Sequence, residues 1–181
     1  MAGTRMDRLW APWRMTFIRK SAKETGCLFC RLQRPGNDRA RHVLVRREGA
    51  LLMLNRYPYN PGHLMVAVAR HSSTVAALNG DERRDFLDLV GLAERLLERA
   101  YRPQGMNHGA NVGHVAGAGY PGHFHWHLVP RWSGDTNFMP TVGQAKVLPE
   151  TLDQSYRRLK AALQELDGTA RPKLRRRRGK G

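Results

Sequence analysis

The chain reads as an α+β domain built on an antiparallel sheet. Three observations lead there: short β-like runs cluster in the first half, two amphipathic helical stretches stand apart from them, and no regular βαβ alternation links the two kinds. At 181 residues, 41% apolar and 8% aromatic, it has the length of one domain with a sizeable core.

The elements follow in order. Residues 1–26 form a basic, irregular segment with an aromatic island, Leu9-Trp10-Ala11-Pro12-Trp13-Arg14-Met15, where Pro12 breaks any helix. The polar stretch 31–41, with its Pro35-Gly36 turn signal, reads as a loop. Strands are expected over 42–46, 50–54 and 63–68. Between the last two, Pro58, Pro61 and Gly62 make 55–62 a rigid loop. A long helix is expected over 81–101, opened by Asn79-Gly80-Asp81. Its apolar stripe is Phe86, Leu89, Val90, Ala93, Leu96, Leu97 and Ala100, and Pro103 and Gly105 end it. Residues 106–122 suit a short strand and a flexible loop, and 123–130 a further strand. A C-terminal helix opens at Pro149 and runs to about Leu166, with Leu152, Tyr156, Leu159, Leu163 and Leu166 on one side. The folded domain is thus expected over 27–167 and a disordered basic tail over 168–181.

Charge narrows the partners. The formal net charge is +16, and taking away the seven basic residues of 171–181 still leaves +9. Such a field draws nucleotides, phosphates, nucleic acid or acidic membranes. The first thirty residues hold no apolar run of signal-peptide type, and no stretch is apolar enough to span a membrane. With two cysteines, Cys27 and Cys30, a disulfide scaffold is excluded and a reduced, cytoplasmic chain is expected. The arginine-rich tail reads as a solvated extension, with weak nucleic-acid binding as the alternative.

The most informative stretch is Gly122-His123-Phe124-His125-Trp126-His127-Leu128-Val129-Pro130-Arg131. On a strand, alternate side chains share a face, so His123, His125 and His127 line one side and Phe124, Trp126 and Leu128 the other. On a helix the three imidazoles would spread over about 200° and share nothing. A row of imidazoles suits either metal ligation or nucleophilic attack on phosphorus. Metal catalysis is the weaker reading, because no Glu follows His127 until Glu150 and Asp135 is the one nearby acid.

His-apolar-His-apolar-His-apolar-apolar resembles the signature of the histidine triad (HIT) superfamily of nucleotidyl transferases and hydrolases. Asn55…Pro61-Gly62-His63-Leu64-Met65-Val66 resembles its substrate-pocket strand, and Gly109-Ala110-Asn111-Val112-Gly113 its Gly-x-Asn-x-Gly strand. The aromatic island near the N-terminus, and Pro130-Arg131-Trp132 with Gly134-Asp135-Thr136-Asn137-Phe138-Met139, resemble the bacterial branch related to diadenosine tetraphosphate phosphorylases.

The resemblance implies a HIT fold, with one long and one C-terminal helix on an antiparallel sheet, in a homodimer. It implies cleavage of dinucleoside polyphosphates through a covalent nucleotidyl-histidine, diadenosine tetraphosphate and phosphate giving ADP and ATP. Hydrolysis by water, or nucleotide binding with little turnover, are the alternatives. His125 is then the nucleophile, His127 contacts phosphate and assists the leaving group, and His63 sits beside the nucleophile. Asn55 takes the ribose position and Asn111 braces the phosphate end. One departure stands out: Ala116-Gly117-Ala118-Gly119-Tyr120-Pro121-Gly122 lacks the Gln, Ser or Thr that many relatives aim at phosphate, leaving backbone N–H groups of Gly117 and Gly119 for the anion.

Cys27-x-x-Cys30 alone fits a zinc half-site, a redox pair or two free thiols. The HIT resemblance supplies His71 and His123 as partners in a closed, structural Cys₂His₂ zinc site. It implies no organic cofactor, and it is compatible with a divalent cation accompanying the polyphosphate. His108 and His114 read as surface or loop residues.

Overall fold

The computed structural model describes residues 26–135 and 148–170. The aromatic island, Thr136–Met139 of the resemblance and the arginine-rich tail from 171 onward lie outside the described residues. Strands β1 (Val43–Arg46), β2 (Ala50–Leu54), β3 (Leu64–Val68), β4 (Gly105–Gly109) and β5 (His125–Arg131) form one antiparallel sheet in the order β1-β2-β3-β5-β4. The helices are α1 (Leu28–Gln33), α2 (Asp38–Arg41), α3 (Gly80–Tyr101) and α4 (Leu152–Ala170).

The strand and long-helix expectations hold, and each has a local cause. Asn79 caps α3 by accepting from the Glu82 backbone N–H, while the Glu82 carboxylate accepts from Asn79 N. Helix α3 ends where Arg102 turns left-handed (φ 46°), just before Pro103. Helix α4 starts at Leu152, three residues after Pro149. There Thr151 and Gln154 exchange capping hydrogen bonds, a stronger start signal than the proline. It continues to Ala170, past the expected boundary at 167.

Three local readings are corrected. The stretch 31–41 is not all loop, since α1 reaches Gln33 and α2 occupies Asp38–Arg41 behind the Asn37 cap. Helices of six and four residues are too short to show a period. Strand β5 begins at His125, so His123 precedes it. Of Gly109–Gly113 only Gly109 belongs to β4; His108 lies within that strand but on the surface, as expected, paired with Glu94 at 3.3 Å.

Alternation sorts the strands into two faces. Leu52, Leu54, Leu64, Val66, Phe124 and Leu128 join Phe86, Leu89, Leu96, Leu97, Tyr156 and Leu159 in the main core under α3 and α4. On the other side Leu51, Met53, Met65 and Ala67 make a smaller cluster with Val43 and Phe29. The second face is the one the histidines occupy, because Ala67 pairs with His125 and Met65 with His127. No described helix is long and apolar enough to cross a membrane.

Candidate functional site

His125 sits at the centre of the second face, 5% exposed, opposite the small Ala67. Its Nδ1 lies 2.8 Å from the carbonyl oxygen of His123. A carbonyl only accepts, so Nδ1 carries the proton and Nε2 keeps its lone pair. Phe29 stacks on the ring at 4.8 Å between centroids and fixes its plane. Burial holds the imidazole pKa below its usual value, against the raising effect of the His123 carbonyl. A neutral imidazole with a lone pair at Nε2 is a nucleophile.

His127 and His63 form a second unit. The backbone N–H of Tyr59 donates to His63 Nδ1 at 3.1 Å. That nitrogen must therefore accept, and the neutral ring carries its proton on Nε2. His63 Nε2 lies 3.0 Å from His127 Nδ1, so His63 donates and His127 accepts. Neutral His127 then holds its own proton at Nε2. The Tyr59 ring stacks on His63 at 4.9 Å, while His63 itself is fully buried. His63 thus contacts His127, whose ring is 5.1 Å from that of His125.

Gly62 lets the chain turn into β3 behind this pair. Its φ is +78°, and a Cβ there would meet the Tyr101 ring at 2.7–3.0 Å, so no larger residue fits. Asn55 closes an Asx turn by accepting from Tyr57 N at 2.9 Å, with its amide nitrogen 3.4 Å from His63 Nδ1. Asn111 donates to Gly117 O at 3.3 Å and so braces the glycine loop. The N–H of Gly117 is committed within that loop, to His114 O at 3.0 Å, and Gly119 is exposed. His114 is exposed as expected.

The sulfur cluster lies beyond His125. Cys27 Sγ is 3.2 Å and Cys30 Sγ 3.6 Å from His123 Nδ1; His71 Nδ1 is 3.4 Å from both Cys30 Sγ and His123 Nδ1. Ligands about 2.0–2.3 Å from a tetrahedral centre lie about 3.3–3.8 Å from one another, so the four atoms fit a Cys₂His₂ metal site. The tautomer agrees: His123 Nε2 donates to Val68 O at 2.8 Å, which leaves Nδ1 as a ligand. Helix α1 delivers both sulfurs, one at its N-cap and one a turn later.

Sequence reasoning missed Phe29, Tyr59 and Asn60. Phe29 stands between the two cysteines, where an apolar residue in a ligand motif was a readable signal. Tyr59 and Asn60 belong to a loop whose backbone and amide contacts leave no mark in composition.

The HIT domain family model matches residues 37–134. An AP-4-A phosphorylase of Mycobacterium tuberculosis is 34% identical over 85% of this chain and 83% of its own length. The chain belongs to the HIT family. Among solved structures, a zinc-bound histidine triad family protein of Mycobacterium smegmatis superposes with a TM-score of 0.58 at 24% identity, covering 80% of this chain and 97% of that one. A hypothetical histidine triad nucleotide-binding protein of Sulfolobus tokodaii gives 0.61 at 20% identity, covering 78% and 94%. Both likenesses bear on the HIT fold alone. Within that fold, His125 and His127 are the second and third histidines of the triad motif, and the first, His123, faces the sulfur cluster.

Proposed function

We propose that this HIT-family enzyme cleaves dinucleoside polyphosphates, diadenosine tetraphosphate first, through a nucleotidyl group carried on His125. The observation that carries the reading is the complementary pair of tautomers: a lone pair at His125 Nε2 and a proton at His127 Nε2. His125 Nε2 attacks the α-phosphorus, the bond to the bridging oxygen breaks, and ATP leaves with its new oxygen stabilised by the His127 proton. Inorganic phosphate then attacks the adenylyl-histidine, and ADP leaves with the adenylyl group. Water in place of phosphate would give AMP.

Asn55 holds the ribose in this reading. The loop braced by Asn111 receives the phosphate chain through the backbone of Gly119. The surplus of positive charge, +16 over the chain, steers the polyanion towards it. The 34% identity to an AP-4-A phosphorylase favours phosphate as the acceptor. Cys27, Cys30, His71 and His123 hold a structural zinc, which supplies a cross-link between α1 and the start of β5. In this reading the enzyme acts as a homodimer, with β4 at one edge of the sheet.

The test is product analysis with diadenosine tetraphosphate and radiolabelled phosphate. Label in ADP supports phosphorolysis; AMP and ATP with no label incorporated would assign hydrolysis. Unconsumed substrate across a panel of dinucleoside polyphosphates would overturn the enzyme reading in favour of nucleotide binding.

A further inference from the structure

We propose that Asn60, held by Asp135, is a positioning residue that sets the tautomer of His63 and so the proton on His127. The inference rests on the roles given above to His63 and His127.

Asn60 is 2% exposed, a degree of burial that an amide tolerates only when its polar atoms are matched. Its Nδ2 donates to Pro130 O at 2.8 Å and to Asp135 Oδ2 at 2.9 Å, while its own carbonyl accepts from His63 N at 3.1 Å. The side chain is thus tied to the end of β5 and the main chain to the start of β3. The peptide linking Tyr59 to Asn60 lies directly beside the N–H that reaches His63 Nδ1.

Asp135 is well anchored in turn. Arg131 grips it with two nitrogens, at 2.6 and 2.9 Å, and reaches Asn107 of β4 with a third at 2.7 Å. Trp132 N donates to the same carboxylate at 3.2 Å. These donors, Arg131 foremost, hold Asp135 well below the usual carboxylate range, so it stays charged in any ordinary assay buffer. From the other side the Tyr101 ring presses on Gly62. Asn60 and Gly62 thus fix the end of the loop that runs into β3, the Asx turn at Asn55 holds its start, and the Tyr59 N–H between them is directed at His63.

The consequence is chemical. With that N–H in place, His63 can hold its proton only at Nε2, so it donates to His127 Nδ1 and leaves His127 protonated where a substrate oxygen would lie. Let the loop shift, and His63 is released to place its proton on Nδ1. Its Nε2 then accepts, His127 donates to it from Nδ1, and His127 Nε2 loses its proton. The leaving oxygen would face a lone pair.

The experiment combines kinetics with ¹⁵N spectra of histidine-labelled protein, which distinguish a protonated from an unprotonated ring nitrogen. Asn60→Ala and Asp135→Ala should each lower kcat on diadenosine tetraphosphate about 10–100-fold, with KM within about threefold. In both variants the His63 and His127 signals should move from single tautomers to mixtures, and Asp135→Asn, which keeps an acceptor for Asn60, should recover part of both effects. If Asn60→Ala does not fold, Asp135→Ala decides, since it leaves the bond to Pro130 O intact. Folded variants with lowered Tm but unchanged kcat and unchanged spectra would overturn the proposal. Wild-type protein with no turnover at all would sink the enzyme reading instead, and the spectra would still decide the role of Asn60.

Discussion

Along β2, β3 and β5 neighbouring residues face opposite sides of the sheet, and the two sides meet different demands. Toward α3 and α4, Leu52, Leu64, Val66 and Leu128 are sealed from solvent by helix residues with no chemistry of their own. On the other side the same strands carry His125 and His127, and His63 just before β3. These are covered by one buried phenylalanine, a tyrosine and loops. The first face gains from area removed from water, which is indifferent to direction. In the proposed reaction the second depends on the orientation of single hydrogen bonds, because each imidazole holds its proton on one nitrogen and not the other. A single strand, β5, serves both, so substitutions a few residues apart should separate stability from chemistry.

The largest effect is expected from His125→Ala. Losing the attacking imidazole should lower kcat by three orders of magnitude or more, with nucleotide binding retained and Tm little changed. Steady-state kinetics with isothermal titration of the nucleotide checks both halves; a residual kcat above about a tenth of wild type would remove His125 as nucleophile.

Leu128→Ala, three residues along and on the other face, should do the reverse. Leu128 is fully buried in the main core, and leucine truncations of this kind cost about 2–5 kcal/mol. Urea denaturation should show that loss while kcat per folded molecule stays near wild type. A kcat that falls in step with stability would mean the faces are coupled through β5.

Smaller again is Cys30→Ser, at the rim of the histidine face. Protein purified without a metal-affinity tag should hold about one zinc per chain, and the variant well below that, by elemental analysis. Tm should fall by a few degrees, less than for Leu128→Ala, because Cys30 is half-buried and His71 exposed. Unchanged metal content and Tm would show that the four side chains meet without a metal between them.

Much of the helix face could be read from the sequence, since the period of α3 states which of its residues are inside and the short apolar runs in 50–54 and 63–68 mark buried strands. Those runs are apolar at every strand position, so they do not say which residue takes which face. The alternation at 123–127 likewise gave the side on which the histidines lie. What could not be read is the wiring. That His63 pairs with His127 depends on register between β3 and β5, and its tautomer depends on a backbone N–H four residues upstream. Asn60 looks like any loop asparagine until Pro130 and Asp135 arrive beside it. Helix α1 was hidden for a different reason: its role is to present two sulfurs and Phe29, and six residues give no period to find.

The strand order bears on how the molecule assembles as it is made. Strands β1, β2 and β3 are consecutive neighbours and can pair as they emerge, but among the described strands β4 pairs with β5 alone, and β5 must enter between β3 and β4. The pairs of the candidate site are far apart in the chain: His63 and His127 are 64 residues apart, and Cys27 and His123 are 96 apart. Contacts of that separation are closed late, after their loop entropy has been met by other packing. A nascent chain that stops short of residue 123 therefore has half a sheet, a sulfur pair awaiting its histidine, and His63 without its acceptor. Entry of β5 brings His123 to the sulfur pair and His127 to His63 in a single event, and the C-terminal helix then closes the main core with Tyr156 and Leu159, so a partly folded molecule is expected to carry no partial activity.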